Sequence, residues 1–304
     1  MSDAYLRFWG VRGSYTAPFK SHLGVGGNTS CVEIRVDDHI LLCDAGTGII
    51  PFGNEIISQT NTRELLILLT HYHWDHICGL PFFVPAFVPN WNISIFGPGQ
   101  SKTDIEEFVS AQMQAPFFPV STENWLAKIN YIAPPPNHHM DYGPISFSYQ
   151  NVHHPGTTYG YRIHVNGKQI LYISDNECLY LDKSTKQKYK ELSKEEQELY
   201  DRMNREEYLA ELKLLEGADI LIHDAQYTPE DYKKKRSWGH SCYVDTVNTA
   251  IDAGVGELYL YHHDPNYDDE QIETIYQHSL KIIKQRGSSM KCYIAREGMI
   301  IDLS

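Results

Sequence analysis

The stretch HYHWDH, residues 71–76, places His71, His73, Asp75 and His76 within six positions, directly after the apolar run LLILL. Imidazole nitrogen and carboxylate oxygen suit zinc, and the same set also accepts manganese or iron. In an extended segment, residues i and i+2 point to one side, so His71 and His73 project together. Asp75 and His76 come where the chain should turn, so they can face back into the same volume. Structural zinc sites close with four ligands and often use cysteine. This pattern instead suits two adjacent divalent ions, zinc being the first candidate.

A dinuclear site needs further ligands from distant sequence, and the ends of other strands are the usual place to find them. Three positions qualify: His153 or His154 after ISFSYQNV, Asp175 after QILYIS, and His262 or His263 after ELYLY. Two such ions share a water, lower its pKa toward neutrality and neutralise charge gathering on the oxygens of a displacement, so hydrolysis is the expected reaction.

The elements that must position these groups are legible in outline. ELLILLT, 64–70, is a continuous apolar run of strand length, the pattern of a strand buried on both faces. YLRFWGV, CVEIRVDD and HILLCDAG read as earlier strands separated by Gly-rich turns, and ISFSYQNV, YGYRIHV, QILYISD, ADILIHD and ELYLYHH as later ones. Helices are expected near 51–60, from a capping box at Ser101, and over 269–285 before Gly287. Residues 182–216 change to a Lys- and Glu-rich composition, with a second capping box at Ser193. They read as a helical insertion that packs Leu199, Met203, Tyr208, Leu212 and Leu215 on the body. No compositional break demands a second domain, so residues 1–304 are expected to form one.

At 42% apolar and 21% charged residues, the chain has the make-up of an ordinary globular protein. Its 26 basic and 39 acidic residues give a net charge of −13, the wrong sign for long nucleic acid, which is not expected as a partner. The six cysteines form no C-x-x-C pair and read as reduced thiols of a cytoplasmic protein. No secretory pattern or membrane-length apolar run is present, and no membrane partner is expected. Phe82, Phe83, Phe87, Trp91, Phe117 and Phe118 flank the histidine cluster. They could pack in the core, stack a base, or form the surface of a homodimer.

Taken in order, DAGTG (44–48), HYHWDH, HHPGTTYGYRI, YISDNE and LYLYHHDP resemble the metallo-β-lactamase fold superfamily over nearly the whole chain. The resemblance implies an α/β fold, an αββα four-layer sandwich. It also implies that His71, His73 and His154 hold one metal and Asp75, His76 and His262 the other, with Asp175 bridging. His154 is preferred because it immediately precedes Pro-Gly, and His262 because it follows the last strand by one residue. Asp44 is implied to orient a ligand.

LIHDA (221–225), WGHS (238–241) and the opening FWGVRGSY with GVGGNTSC resemble the ribonuclease Z branch and its phosphodiesterase relatives. The resemblance makes His240 the group that protonates the leaving oxygen and Asp224 the carboxylate that fixes it. That carboxylate is expected to raise the imidazole's pKa and leave its other nitrogen aimed at substrate. Ribonuclease Z enzymes that grip transfer RNA carry a long Gly-rich arm between the ligands matching His154 and Asp175. Only 20 residues separate those positions here. The expected substrate is therefore a small, cyclic or linear, nucleotide phosphodiester. Alternatives are a glyoxalase II-like thioesterase or lactonase, a ribonuclease Z-like RNA endonuclease, and a non-catalytic nucleotide-binding sponge or sensor.

Overall fold

A computed structural model describes residues 3–59, 62–181 and 188–304. Two seven-stranded sheets lie face to face. The first runs in the order β14 (Ile300–Asp302), β1 (Ala4–Gly10), β2 (Cys31–Val36), β3 (His39–Cys43), β4 (Glu64–Leu68), β5 (Asn92–Phe96), β6 (Lys128–Ile132). The second runs β13 (Lys291–Ile294), β12 (Glu257–Tyr261), β11 (Ile220–Asp224), β10 (Lys168–Ile173), β9 (Tyr159–Val165), β8 (Ile145–Asn151), β7 (His139–Tyr142). Each sheet has an antiparallel half and a parallel half: β3 to β6 in the first, β10 to β13 in the second.

The apolar run 64–70 shows how the layers are built. Strand side chains alternate between faces. Leu66 and Leu68 enter the inner core with Phe147, Tyr161 and Ile163 of the second sheet. Leu65, Ile67 and Leu69 enter an outer core with Ile49, Phe52 and Ile56. Those three belong to α1 (Ile49–Gln59), which starts two residues before the expected Pro51. A proline is tolerated in a first turn, where its missing N–H has no intrahelical partner to lose.

Next come α2 (Trp74–Ile77), which carries half of the histidine motif, and α3 (Lys102–Ala111), closed by the reciprocal Ser101–Asp104 capping box. After β10 comes α4 (Lys194–Leu215), begun by the Ser193–Glu196 box, then α5 (Pro229–Tyr232) and α6 (Tyr243–Asp252). Last is α7 (Asp269–Gln285), followed by Gly287 at φ +64°.

The insertion differs from expectation in one respect. Residues 182–187 at its start lie outside the described residues. Beyond them α4 forms as expected: Leu214 and Leu215 are buried, Tyr208 and Leu212 are half-buried, and Tyr208 donates to Asp252 of α6 at 2.6 Å. Leu199 and Met203, in its N-terminal half, stay exposed. Parallel strands β4, β10, β11 and β12 all point their C-terminal ends to one edge of the sandwich. Side chains from many elements meet outside such an edge.

Candidate metal centre

That edge gathers every candidate ligand. The loop after β4 delivers His71 and His73, and the first turn of α2 delivers Asp75 and His76. The ends of β8, β10 and β12 deliver His154, Asp175 and His262. Two groups result. His71, His73 and His154 offer ligand atoms to a common point, as do Asp75, His76 and His262. In the first, His154 Nε2 lies 3.1 Å from His73 Nδ1. In the second, His262 Nε2 lies 3.3 Å from His76 Nε2 and 3.2 Å from Asp75 Oδ2.

Asp175 stands between the groups and divides its oxygens between them. Its Oδ1 faces His76 Nε2 at 3.0 Å and His262 Nε2 at 3.4 Å. Its Oδ2 faces His71 Nε2 at 3.9 Å and His154 Nε2 at 3.8 Å. The alternatives left open by the sequence separate cleanly: His153 turns to Glu207 (3.4 Å) and His263 to the Ala295 carbonyl (3.1 Å).

Three of the rings are aimed by their other nitrogen, as ligating imidazoles require. His76 Nδ1 donates to Asp44 Oδ2 at 2.8 Å, His154 Nδ1 to the Gly239 carbonyl at 2.8 Å, and His262 Nδ1 to Gln226 Oε1 at 3.0 Å. Asp44 is more than a turn residue. It also accepts from the Thr70 backbone (2.8 Å) and from the Tyr172 hydroxyl (2.8 Å). Asp44 and His262 both hold left-handed backbone conformations, φ +63° and +57°. Such conformations are costly for non-glycine residues and persist where the surroundings impose them.

Burial makes a set of this kind hard to keep without cations. It pushes His71 well below the ordinary imidazole pKa, and the buried His71 Nε2 has no hydrogen-bond partner among the described residues. Burial also opposes charge on Asp75 and Asp175, yet their histidine neighbours hold both carboxyls well below the usual range. Lone pairs and ionised carboxylates converging in a dry volume are a cation's donor set. His73 is the one exposed member, so the centre opens to solvent on its side.

His240 packs on this cluster, its ring stacked on His262 at 5.0 Å. Its Nδ1 lies 2.8 Å from Asp224 Oδ2, the pairing that the sequence suggested. The expected rise in its pKa does not occur. Burial outweighs the carboxylates and lowers His240, while burial raises Asp224 to about 8. The two groups titrate as a coupled pair, and Nε2 is the ring nitrogen that Asp224 leaves free.

Several residues that position the site escaped the sequence reading. A Cβ on Gly13 would lie 2.4 Å from the His262 ring, and one on Gly239 (φ +88°) would lie 2.4 Å from His154 Nδ1. Gly239 immediately precedes His240 in WGHS. Thr70, Tyr172, Gln226 and the Ser14 amide, which donates to Asp75 Oδ2 at 2.6 Å, carry no local signal.

The model of the beta-lactamase superfamily domain matches residues 39–193, just over half of the chain. The chain belongs to this superfamily. Among curated members, the metallo-β-lactamase-fold chain is similar to ribonuclease Z of Methanocaldococcus jannaschii, 26% identical over 96% of this chain and 95% of that protein. Ribonuclease Z of Thermoplasma acidophilum is 24% identical over 89% and 90%. The fold is shared with the metallo-β-lactamase fold protein YhfI of Bacillus subtilis (TM-score 0.67, 18% identity, 99% and 100% covered). It is also shared with the short form of human tRNase Z (TM-score 0.61, 18% identity, 99% of both chains).

These relatives overturn one expectation, that long nucleic acid is not a partner; the names ribonuclease Z and tRNase Z denote enzymes acting on RNA. A net charge sums the whole surface. A nucleic acid strand meets one face of it, and local cations can reverse the sign there.

Proposed function

We propose that this chain is a metal-dependent phosphodiesterase acting on RNA. The observation that carries the reading is Asp175, whose two oxygens face two separate ligand groups beside the His240–Asp224 pair. His71, His73 and His154 would hold one divalent ion and Asp75, His76 and His262 the other, with Asp175 between them. When bound, the ions supply Lewis acidity toward phosphoryl oxygens and acidify a water molecule.

The remaining work belongs to the chain's own side chains. Asp44, Gln226 and the Gly239 carbonyl partner the outward ring nitrogens, which leaves the inward Nε2 atoms of His76, His262 and His154 to face the ions. With a second proton on its pair, His240 places an N–H at Nε2, the nitrogen that Asp224 does not use, for transfer to a leaving oxygen. A thioester's thiolate leaves with little protonation and gives the buried His240–Asp224 pair little to do, so a phosphodiester with an alkoxide leaving group fits better. Lys233 and Lys234, exposed shortly before His240, are local cations for a phosphate backbone.

A second reading, a small nucleotide phosphodiester, is favoured by the connection between His154 and Asp175. It consists of β9 and β10 joined through Asn166 and Gly167 and leaves no room for a long arm.

The test is turnover of short RNA, cyclic nucleotides, S-lactoylglutathione and bis(p-nitrophenyl) phosphate by metal-loaded protein, wild type and Asp75→Ala. RNA cleavage abolished by Asp75→Ala, with the fold retained by circular dichroism, is the expected result. Thioester turnover without phosphodiesterase activity, or RNA cleavage surviving Asp75→Ala, would overturn the reading.

A further inference from the structure

A second cluster of ligating side chains lies behind the His240–Asp224 pair, apart from the centre described above. It joins three elements: Cys178 in the segment after β10, His223 on β11, and Glu211 on α4. Cys178 and His223 are buried at 1% and 0% exposure. Cys178 Sγ lies 3.4 Å from Glu211 Oε1 and 3.7 Å from His223 Nε2, and Nε2 lies 4.0 Å from Glu211 Oε1.

Those separations are close to the edges of a zinc tetrahedron. Bond lengths near 2.3 Å to sulfur and 2.0–2.1 Å to nitrogen or oxygen give edges of about 3.3–3.6 Å. Orientation agrees with distance. His223 Nδ1 donates to the Asp224 carbonyl at 2.7 Å, so the neutral ring turns the lone pair of Nε2 toward Cys178 and Glu211. The Asn176 amide nitrogen takes the fourth corner, at 2.8 Å from Glu211 Oε1, 3.3 Å from His223 Nε2 and 3.6 Å from Cys178 Sγ. Three acceptors of different chemistry thus face one point.

Glu211 comes from a helix that is mostly solvated, yet it turns its carboxylate inward, where burial raises its pKa. It also lines a surface cavity of about 310 Å³ with His153 and Glu207, a route by which an ion reaches the cluster from solvent.

We propose that Cys178, Glu211 and His223 bind a further divalent ion of the zinc type, fastening α4 to the sheet behind the His240–Asp224 pair. The thiol releases its proton to solvent on binding. Water completes the coordination, or the Asn176 amide oxygen does so after the side chain turns. Sulfur, imidazole and carboxylate together select zinc over magnesium or calcium. The inference is independent of the substrate proposed above.

Cobalt distinguishes this site from the main centre, because none of the seven ligands assigned there is a cysteine. Full-length protein would be stripped with a chelator under reducing conditions and reloaded with Co²⁺. The expected result is a thiolate-to-cobalt charge-transfer absorption in the wild type and in Asp75→Ala, absent in Cys178→Ser and weakened in Glu211→Gln. Elemental analysis should find one zinc fewer per chain in Cys178→Ser than in the wild type. If Cys178→Ser fails to fold by circular dichroism, Glu211→Gln carries the same two readouts. No thiolate absorption in the cobalt-loaded wild type overturns the proposal and leaves a network held by hydrogen bonds alone. A band and zinc content unchanged in Cys178→Ser, or in Glu211→Gln should that variant carry the test, overturn it equally.

Discussion

At the scale of the residue, the site depends on which nitrogen of each imidazole carries a proton. His76, His154 and His262 use Nδ1 to donate outward, so their Nε2 atoms converge on the centre. His240 pairs its Nδ1 with Asp224 in the same way, and a second proton on that pair would make its Nε2 a donor. If that donor protonates the leaving oxygen, His240→Ala should slow substrates with poor alkoxide leaving groups by about 10²–10⁴-fold. p-Nitrophenyl esters need little protonation and should lose far less. Steady-state rates on both classes decide the matter, and equal losses would assign His240 to binding instead.

Four candidate ligands, His71, His73, Asp75 and His76, stand out in the sequence because their spacing is local, whereas His154, Asp175 and His262 were named through the family resemblance. The aiming groups were not legible there. Gln226, Thr70 and Tyr172 reach their partners only after distant strands meet, and nothing near them in sequence marks the meeting. The direction of the His240 shift was misread for a related reason, since burial is a property of the assembled layers.

At the scale of the element, strand ends and tight turns set the geometry. Gly13 lies in the turn after β1 that passes over the His262 ring. Gly13→Ala should displace that ring and cut kcat by about 10²-fold, the cost of roughly 1 Å of misplacement. Overpacking at this buried contact should also cost about 1–3 kcal/mol of stability, read as a lower melting temperature; activity and stability both unchanged in the alanine variant would contradict the close approach.

Away from the site, β13 offers a test of the buried core. Burial raises the Cys292 thiol from 9.0 to about 12. A pKa raised on folding stabilises fully below the unfolded value and is lost as pH rises toward the folded one. Between pH 9 and 10.5 that loss is about 2 kcal/mol at 1.36 kcal/mol per unit. Urea unfolding at pH 8 and 10.5 should therefore show a smaller alkaline loss in Cys292→Ala than in the wild type. An equal loss would mean that the thiol is hydrated. Strand positions were readable from apolar runs, and both capping boxes from Ser-x-x-acid spacing. The exposed face of α4 was not, because helical periodicity does not say whether a partner surface exists along the whole length.

At the scale of the molecule, two sheets built to one plan turn the C-terminal ends of their parallel halves to a common edge. That arrangement lets residues as distant as His71 and His262 share a volume. The sandwich was legible through the ordered motifs, whereas the partner class was not. A charge of −13 describes the average surface and says nothing of the one face that substrate meets.

The central claim is that two ions sit between His71, His73, His154 on one side and Asp75, His76, His262 on the other. Anomalous diffraction from crystals of zinc-loaded protein tests it most directly. The account predicts two peaks flanking Asp175, one beside each group. A single peak, or density that leaves either group of side chains without a metal, would contradict it.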